Sequence, residues 1–207
     1  MSKKTAERKF IGVKDLILGI LLSLVVVVIF FMITPLVQPL GLWGSSLTSP
    51  IIPILLGGTI YVLLSRKSPR IGIHLAFVFP WIIMFIVSGT PITSLMLLVS
   101  GIIGEIVMLR GWGKKWRPLV PYTLHWLTNV FGATVPMVFF PQNTISTFMG
   151  SGMDEATATM LLDNLLVVYT DPLFIIACVS LSVVLSIIGY AIGIKVLAKH
   201  FKGAGVA

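Results

Sequence analysis

The sequence predicts an all-α, polytopic membrane protein with six transmembrane helices and cytoplasmic N- and C-termini. Of its 207 residues, 57% are hydrophobic and only 11% are charged, and the mean hydropathy is +1.04. Soluble domains do not have this composition. The charges also fall in short clusters between long apolar runs. No segment is long and polar enough to fold separately in water, so residues 1–207 are expected to form one integral membrane domain.

The first helix is predicted over residues 16–33, a run of 18 residues without a charge. A helix of this length spans roughly 27 Å, close to the hydrocarbon thickness of a bilayer. Lys9 and Lys14 are the last of five basic residues before it, which keeps its N-terminal end in the cytoplasm. A secretory signal is the alternative, but the run is longer than a usual signal core and no small-x-small cleavage site comes after it.

Five further spans are predicted at about 50–65, 71–87, 92–109, 119–140 and 172–194. Residues 34–49 are rich in Pro, Gly and Ser and predict a loop near the interface. The uncharged stretch from 71 onwards is too long for one crossing, and the residues 88–91 (SGTP) divide it. Residues 141–171 are polar and acidic, and are expected to be an outer loop with helical periodicity from Asp154 to Thr170.

Six crossings place every basic residue on one side. The inner segments are 1–15, 66–70, 110–117 and 195–207, and they hold all 15 Lys and Arg. The outer segments hold none, and they carry Asp154, Glu155, Asp163 and Asp171. This is the positive-inside pattern. It explains the net charge of +8 through topology and anionic lipid headgroups, so no nucleic-acid partner is expected.

The sequence contains no recognisable catalytic machinery, so we expect a protein that is not an enzyme. It has no GxxxxGK[ST] nucleotide loop and no HExxH motif. An intramembrane serine protease would need Gly-x-Ser-Gly, and residues 98–101 (LVSG) lack the first glycine. The lone Cys178 excludes an internal disulfide or a CxxC motif. We therefore expect no cofactor and no metal ligands.

Two ionisable residues lie within predicted spans. Glu105 is a functional candidate by default; the alternative is that it pairs with Arg110 or another inner cation and fixes helix ends. His125 could line a cavity together with Asn129, or be a hydrogen-bonded structural histidine. His74 is expected at the inner interface.

The outer half carries the side chains that suit a small-molecule pocket. The candidate substrate-binding residues are Gln38, Trp43, Asn129, Asn143, Asp163, Asn164, Tyr169 and Asp171. An ordinary solvated loop with an aromatic belt is the alternative. Acidic groups without a base disfavour a strongly anionic ligand. Met137, Met149, Met153 and Met160 could suit a soft metal or a haem-like ligand, or provide flexible apolar lining.

Gly19 and Ser23 stand four residues apart on the first helix, a small-xxx-small pattern that lets another helix approach closely. Packing within the chain and docking to a partner are both open.

Several stretches resemble the substrate-binding S components of energy-coupling factor (ECF) transporters, specifically the MptD-type (Trep_Strep) group. They are residues 14–17 (KDLI), 53–72, 104–106 before the basic turn 111–115, and the tail 192–205 (IGIKVLAKHFKGAG). The resemblance implies a six-helix subunit that captures its ligand from outside and pairs with a membrane T component and two cytosolic ATPases. It also implies that Gly19 and Ser23 take the place of the small residues, usually alanines, that contact the T component, and that the first outer loop closes as a lid with Trp43 over the ligand.

The expected function is therefore substrate capture for an ATP-driven importer in the bacterial cytoplasmic membrane. The ligand would be a vitamin-like molecule, or a metal or haem-type nutrient, since the motifs do not encode it. A self-sufficient secondary transporter and a membrane scaffold without a ligand are the alternatives. A secondary transporter would usually show inverted repeats and midplane coupling groups.

Overall fold

The protein is mainly α-helical in the part described by the computed structural model, which covers residues 10–109 and 116–200 without the side chain of His200. The helices are α1 (Val13–Val37), α2 (Gly41–Thr48), α3 (Ile51–Lys67), α4 (Ile73–Val87), α5 (Pro91–Leu109), α6 (Leu119–Phe139), α7 (Pro141–Gly150), α8 (Glu155–Tyr169) and α9 (Pro172–His200). A 3-10 turn, Gln38–Leu40, joins α1 to α2. The long helices α1, α3, α4, α5, α6 and α9 form a bundle.

Three segments of the described chain are long and apolar enough to cross a bilayer: Val13–Lys67, Pro91–Leu109 and Pro172–Lys199. The first of them contains both α1 and α3. A shorter apolar helix is Ile73–Val87. Large apolar side chains on these helices point away from the bundle; Leu21 is 54% exposed and Leu95 is 60% exposed. Exposed apolar surface on this scale suits lipid, not water.

Four predicted spans coincide with α3 to α6 to within two residues at each end. The prediction of a loop over residues 34–49 is wrong, because α1 continues through Pro35 to Val37 and most of the remaining residues form the 3-10 turn and α2. A proline inside a helix removes one amide donor. The hydroxyl of the preceding Thr34 donates to the carbonyl of Phe30, 2.8 Å away, and so is satisfied within the helix.

The outer segment 141–171 and the last helix also differ from expectation. The segment holds two helices, α7 and α8, not one. Pro141 begins α7, where its missing N–H costs nothing, and Gly152, with φ of 101°, turns the chain before α8. The last helix, predicted to end at 194, runs on to His200 because Lys195, Leu197 and Lys199 are good helix formers.

Successive bundle helices run in alternating directions. Gly19 and Ser23 of α1 meet Ala76 and Phe77 of α4 in the same order, so these two helices are parallel. The helices α3 and α9 are also parallel and pack through glycines: a Cβ on Gly58 would lie 2.5 Å from the carbonyl carbon of Gly189. Only residues without side chains allow this approach.

The bundle has a basic end and an acidic end. The basic end carries every Lys and Arg of the described chain: Lys14, Arg66, Lys67, Arg70, Arg117, Lys195 and Lys199. Arg70 pairs with Asp15 at 3.4 Å. The acidic end carries Asp154, Glu155, Asp163 and Asp171, on or beside α8. The other eight basic residues lie outside the described ranges. Charge is therefore segregated along the helix axes, as the sequence predicts.

Glu105 and His74 are structural residues near the basic end. The Glu105 carboxylate accepts the main-chain N–H groups of His74 (2.7 Å) and Leu75 (3.0 Å), in the first turn of α4. Gly72, which precedes α4, has no side chain to cap it. Glu105 thus fixes a helix end, as one alternative proposed; pairing with Arg110 falls outside the described residues. His74 is fully buried and bonded to the Tyr61 hydroxyl at 2.9 Å; it lies near the basic end, but its side chain packs inside the bundle.

Candidate functional site

A cavity of about 750 Å³ opens into the acidic end of the bundle. It lies between the C-terminal parts of α1, α4 and α6 and the N-terminal parts of α5 and α9, with α2, α7 and the end of α8 around its mouth. This volume falls within the range of small-molecule pockets.

The cavity has a deep floor and an exposed mouth. The floor includes Thr93 and Trp126, each 2% exposed, and Ser182, which is 3% exposed. Gln38 and Asn143 line the cavity and are exposed, which places them at the mouth. A ligand that reaches the floor would be almost entirely removed from water.

None of the described lining residues is Asp, Glu, Lys, Arg or His. The polar part of the wall consists of hydroxyl and amide side chains: Thr34, Gln38, Ser45, Ser46, Ser49, Thr90, Thr93, Asn129, Thr134, Asn143, Thr144, Thr147, Tyr169 and Ser182. The rings of Phe30, Phe85, Trp126, Phe148 and Phe174 supply much of the rest. The site can therefore make hydrogen bonds and ring contacts, but its own wall offers no counter-charge.

The short helix α2 lies over the mouth and is held to α8 and α9 by two contacts. The hydroxyls of Ser46 and Tyr169 share a hydrogen bond of 3.1 Å. The rings of Trp43 and Phe174 meet edge to face with centroids 5.0 Å apart, and Tyr169 packs on the same Phe174 at 5.3 Å. We call this group the α2 latch. A part-buried hydrogen bond and one ring pair are weak enough to open and re-form.

Four of the eight predicted binding residues line the cavity: Gln38, Asn129, Asn143 and Tyr169. They come from the 3-10 turn after α1, the middle of α6, the start of α7 and the end of α8, so the fold brings together residues that are far apart in sequence. Trp43 does not line the cavity; it belongs to the α2 latch, above Phe174, which does.

The acidic and amide candidates of α8 and the turn after it lie elsewhere. Asp163 and Asn164 are exposed and absent from the wall. Asp171 accepts the N–H of Leu173 at 2.8 Å and so caps α9. Asp154 caps α8, and its hydrogen bonds from the main chain and hydroxyl of Thr157 lower the pKa of its carboxyl from the usual 3.8. These acidic residues stabilise helix starts or face solvent.

His125 lies behind the wall and not in it. Its side chain is fully buried against the rings of Phe77, Trp81 and Trp126. The Asn129 amide nitrogen lies 3.4 Å from the His125 Nε2 and donates to the His125 carbonyl at 2.9 Å. The arrangement matches the structural alternative for His125, and it orients Asn129, whose Oδ1 has no other partner among the described residues.

Gly19 and Ser23 face α4 and not the outside. A Cβ on Gly19 would lie 3.0 Å from the Ala76 Cβ, and the Ser23 hydroxyl donates to the Phe77 carbonyl. Both residues are buried, so neither is presented on the outer surface of α1. Of the four outer methionines, only Met137 lines the cavity. Within the described residues there is no group of three His, Cys, Asp or Glu that could hold a metal ion.

Sequence reasoning missed the buried hydroxyls of the wall. Ser49, Thr93 and Ser182 come from three separate elements and none stands out locally, since Ser and Thr are common in membrane helices. The signal that was available is weak: each lies in the half of its helix farthest from the basic residues.

One comparison with known proteins found a relationship. The family model described as "Hypothetical bacterial integral membrane protein (Trep_Strep)" matches residues 13–202 of the chain. Neither the curated proteins nor the solved structures yielded a match.

Proposed function

The chain belongs to the Trep_Strep family of bacterial integral membrane proteins, and from this premise we propose that it is the substrate-capture (S) subunit of an ATP-driven, ECF-type importer. In this proposal it crosses the bacterial cytoplasmic membrane six times, with both termini in the cytoplasm. It is not an enzyme. A T component and two cytosolic ATPases complete the transporter, and the captured small molecule enters the cavity from outside.

The position of the cavity is the observation that carries the proposal. It opens at the acidic end, whereas every described Lys and Arg lies at the opposite end. Basic residues stay on the cytoplasmic side of a membrane. If the bundle obeys that rule, the mouth and the α2 latch face the outside, where an importer must collect its substrate.

The lack of a nucleotide-binding motif supports an assembly of several subunits. The whole sequence lacks a nucleotide-binding loop. Uptake against a gradient would then need ATPases in separate subunits. Because Gly19 and Ser23 are buried against α4, the proposal assigns the contact with the T component to other residues of the membrane-facing surface.

One observation favours a self-sufficient secondary carrier instead. Glu105 is a carboxylate within a membrane helix, only 5% exposed, and its Oε2 has no partner among the described residues. Buried acids in membrane helices often bind coupling ions. The carrier is therefore the second candidate, and the experiment must distinguish the two.

The test is affinity purification of the tagged chain from bacterial membranes, with mass spectrometry of both proteins and small molecules. We expect a T component, two ATPase subunits and a retained small molecule. Asp163→Asn, an exposed change outside the wall, serves as the control and should behave as wild type. A chain that alone drives proton-coupled uptake in vesicles would be a carrier. A chain that retains neither a T component nor a small molecule would be a scaffold.

A further inference from the structure

We infer that the cavity takes an uncharged small molecule, built on a ring system and carrying N–H or O–H donor groups. The inference rests on the proposed function, because it names the class of substrate for the same cavity. It narrows the expectation from sequence, which left vitamin-like, metal and haem-type ligands open.

The first step is the absence of charge in the wall. No Asp, Glu, Lys, Arg or His is found among the described lining residues, and the floor is almost fully buried. An ion moved from water into such a site loses its hydration and gains no opposite charge in return, which costs several kcal/mol or more. None of the acidic residues at this end belongs to the wall: Asp154 and Asp171 cap helices, and Glu155 and Asp163 are exposed.

Several hydroxyl groups of the cavity wall can only accept a hydrogen bond from a ligand. Five wall hydroxyls donate to main-chain carbonyls: Thr34 to Phe30 (2.8 Å), Ser45 to Leu42 (3.3 Å), Thr90 to Phe85 (2.9 Å), Thr93 to Gly132 (2.6 Å), and Thr147 to Gly89 or Asn143 (2.9 Å each). A hydroxyl that has donated can still accept through its oxygen. These positions therefore require donors from the ligand.

Several polar side chains of the wall have no hydrogen-bond partner within the described protein. Gln38, Asn143, Ser49 and Ser182 line the cavity and make no side-chain hydrogen bond with any described residue. Gln38 and Asn143 are amides at the mouth, whereas Ser49 and Ser182 are 7% and 3% exposed. Polar groups at such depth are normally paired. An amide can also donate and accept side by side, which suits the paired edge of a neutral heterocycle.

The fourth step is the ring content. Six aromatic side chains line the wall, and each comes from a different helix: Phe30, Phe85, Trp126, Phe148, Tyr169 and Phe174. Aromatic side chains form offset or edge-to-face contacts with other rings. A ligand with a ring can use these faces from several directions. A bare metal ion or a haem would find no His, Asp or Glu among the described lining residues.

The experiment separates ligands by charge before their identity is known. A bacterial metabolite extract is divided at pH 7 into neutral, anionic and cationic fractions on two ion exchangers. Each fraction is added to the purified full-length protein, and thermal unfolding is monitored by tryptophan fluorescence. We expect the neutral fraction to raise the midpoint by about 5 °C once its ligand is in roughly hundred-fold excess over Kd. The charged fractions should leave the midpoint unchanged. Nicotinamide, nicotinate and 1-methylnicotinamide, one ring in three charge states, form a defined parallel series in which only the neutral member should bind.

Two variants place a carboxylate in the wall with little change in size, Gln38→Glu and Asn129→Asp. We expect each to weaken binding of the neutral fraction roughly tenfold or more, because the new charge must be desolvated. Gln38 is exposed and makes no internal bond, so its variant folds even if Asn129→Asp does not. Asp163→Asn is the matched control.

The outcomes separate the inference from the proposed function. Stabilisation by a charged fraction alone overturns the neutral class and leaves substrate capture intact. Stabilisation by the neutral fraction that Gln38→Glu and Asn129→Asp leave unchanged also overturns the inference, because that ligand then binds elsewhere. If no fraction and no probe shifts the midpoint, the proposed capture function fails, and the inference fails with it.

Discussion

The α2 latch should control access to the cavity, and the chain provides its own reporter for this. Cys178 is the only cysteine of the sequence, lines the cavity and is 7% exposed. Because Cys178 is nearly buried, a charged, membrane-impermeant thiol reagent should react with it mainly when α2 moves away from the mouth. Its labelling rate therefore measures the open fraction, provided that opening and closing are fast relative to the reaction.

The expected size of the effect comes from the latch contacts. Tyr169→Phe removes the 3.1 Å hydrogen bond to Ser46 and keeps the ring contact with Phe174. Such a bond contributes about 0.5–1.5 kcal/mol, which corresponds to a roughly 2- to 12-fold rise in the open fraction and in the labelling rate. Ser46→Ala removes the same bond, so the double variant should match either single one. Trp43→Ala loses the edge-to-face contact and buried area as well, and should label faster still.

The assay is the labelling rate of Cys178 in intact cells and in purified protein, read by mass spectrometry. Cys178→Ser gives the background, and Asp163→Asn on the exposed side of α8 is the matched control. Equal labelling rates in wild type, Tyr169→Phe and Trp43→Ala would refute the latch. Effects of Ser46→Ala and Tyr169→Phe that simply add would show that the two hydroxyls do not act on each other.

Three further predictions concern stability. Gly19→Leu should lower the unfolding free energy by about 1–3 kcal/mol by forcing atoms into Ala76 of α4, measured by denaturation in detergent; an unchanged midpoint would free that face for a partner. Gly58→Leu should destabilise the fold at least as much, because its Cβ would stand 2.5 Å from the main chain of α9, while Gly150→Ala, with open space around it, should be neutral. The Asp154→Ala variant should differ most from wild type above about pH 4, where the carboxylate is ionised in both folded and unfolded chains. The hydrogen bonds that lower the pKa of Asp154 are lost as pH falls through that lowered value, so the difference in thermal midpoint should shrink there; a constant difference would contradict the cap.

The ends of the molecule were predictable because charge placement obeys a simple energetic rule. Each basic cluster, such as Arg66 and Lys67, follows an apolar run, and the alternation of apolar runs and basic turns predicts where the helices end and which ends lie together. For the same reason Gln38, Asn143 and Tyr169 could be assigned to one end without knowing any contact. The sequence therefore predicted at which end of the bundle the site lies, and four of its residues, but not the rest of its wall.

The remaining features depend on contacts that one sequence does not display. The run 34–49 has the composition of a loop, yet it is helical because Pro35 is tolerated within α1 and α2 packs on α8 and α9. The sequence left the neighbours of the small residues open for a related reason. Gly19 and Gly58 both permit close approach, but only the fold decides that their partners are α4 and α9 of the same chain. A small residue in the sequence shows that another helix can approach closely, but only the three-dimensional packing shows which helix does so.

Glu105 bears most directly on the choice between an importer subunit and a carrier. Residues 91–93 at the start of α5 line the cavity, and Glu105 lies twelve residues later on the same helix, about 18 Å along its axis. One carboxylate oxygen is already committed to two main-chain donors at the start of α4, where the positive end of the helix dipole favours the charge. A coupling ion bound there would compete with that cap, and it would act on the cavity only through the ring cluster of Tyr61, Phe77 and Tyr122 that fills the bundle between. Local capping therefore gives one oxygen of Glu105 a structural role, and the proposed importer subunit needs no coupling role for this residue.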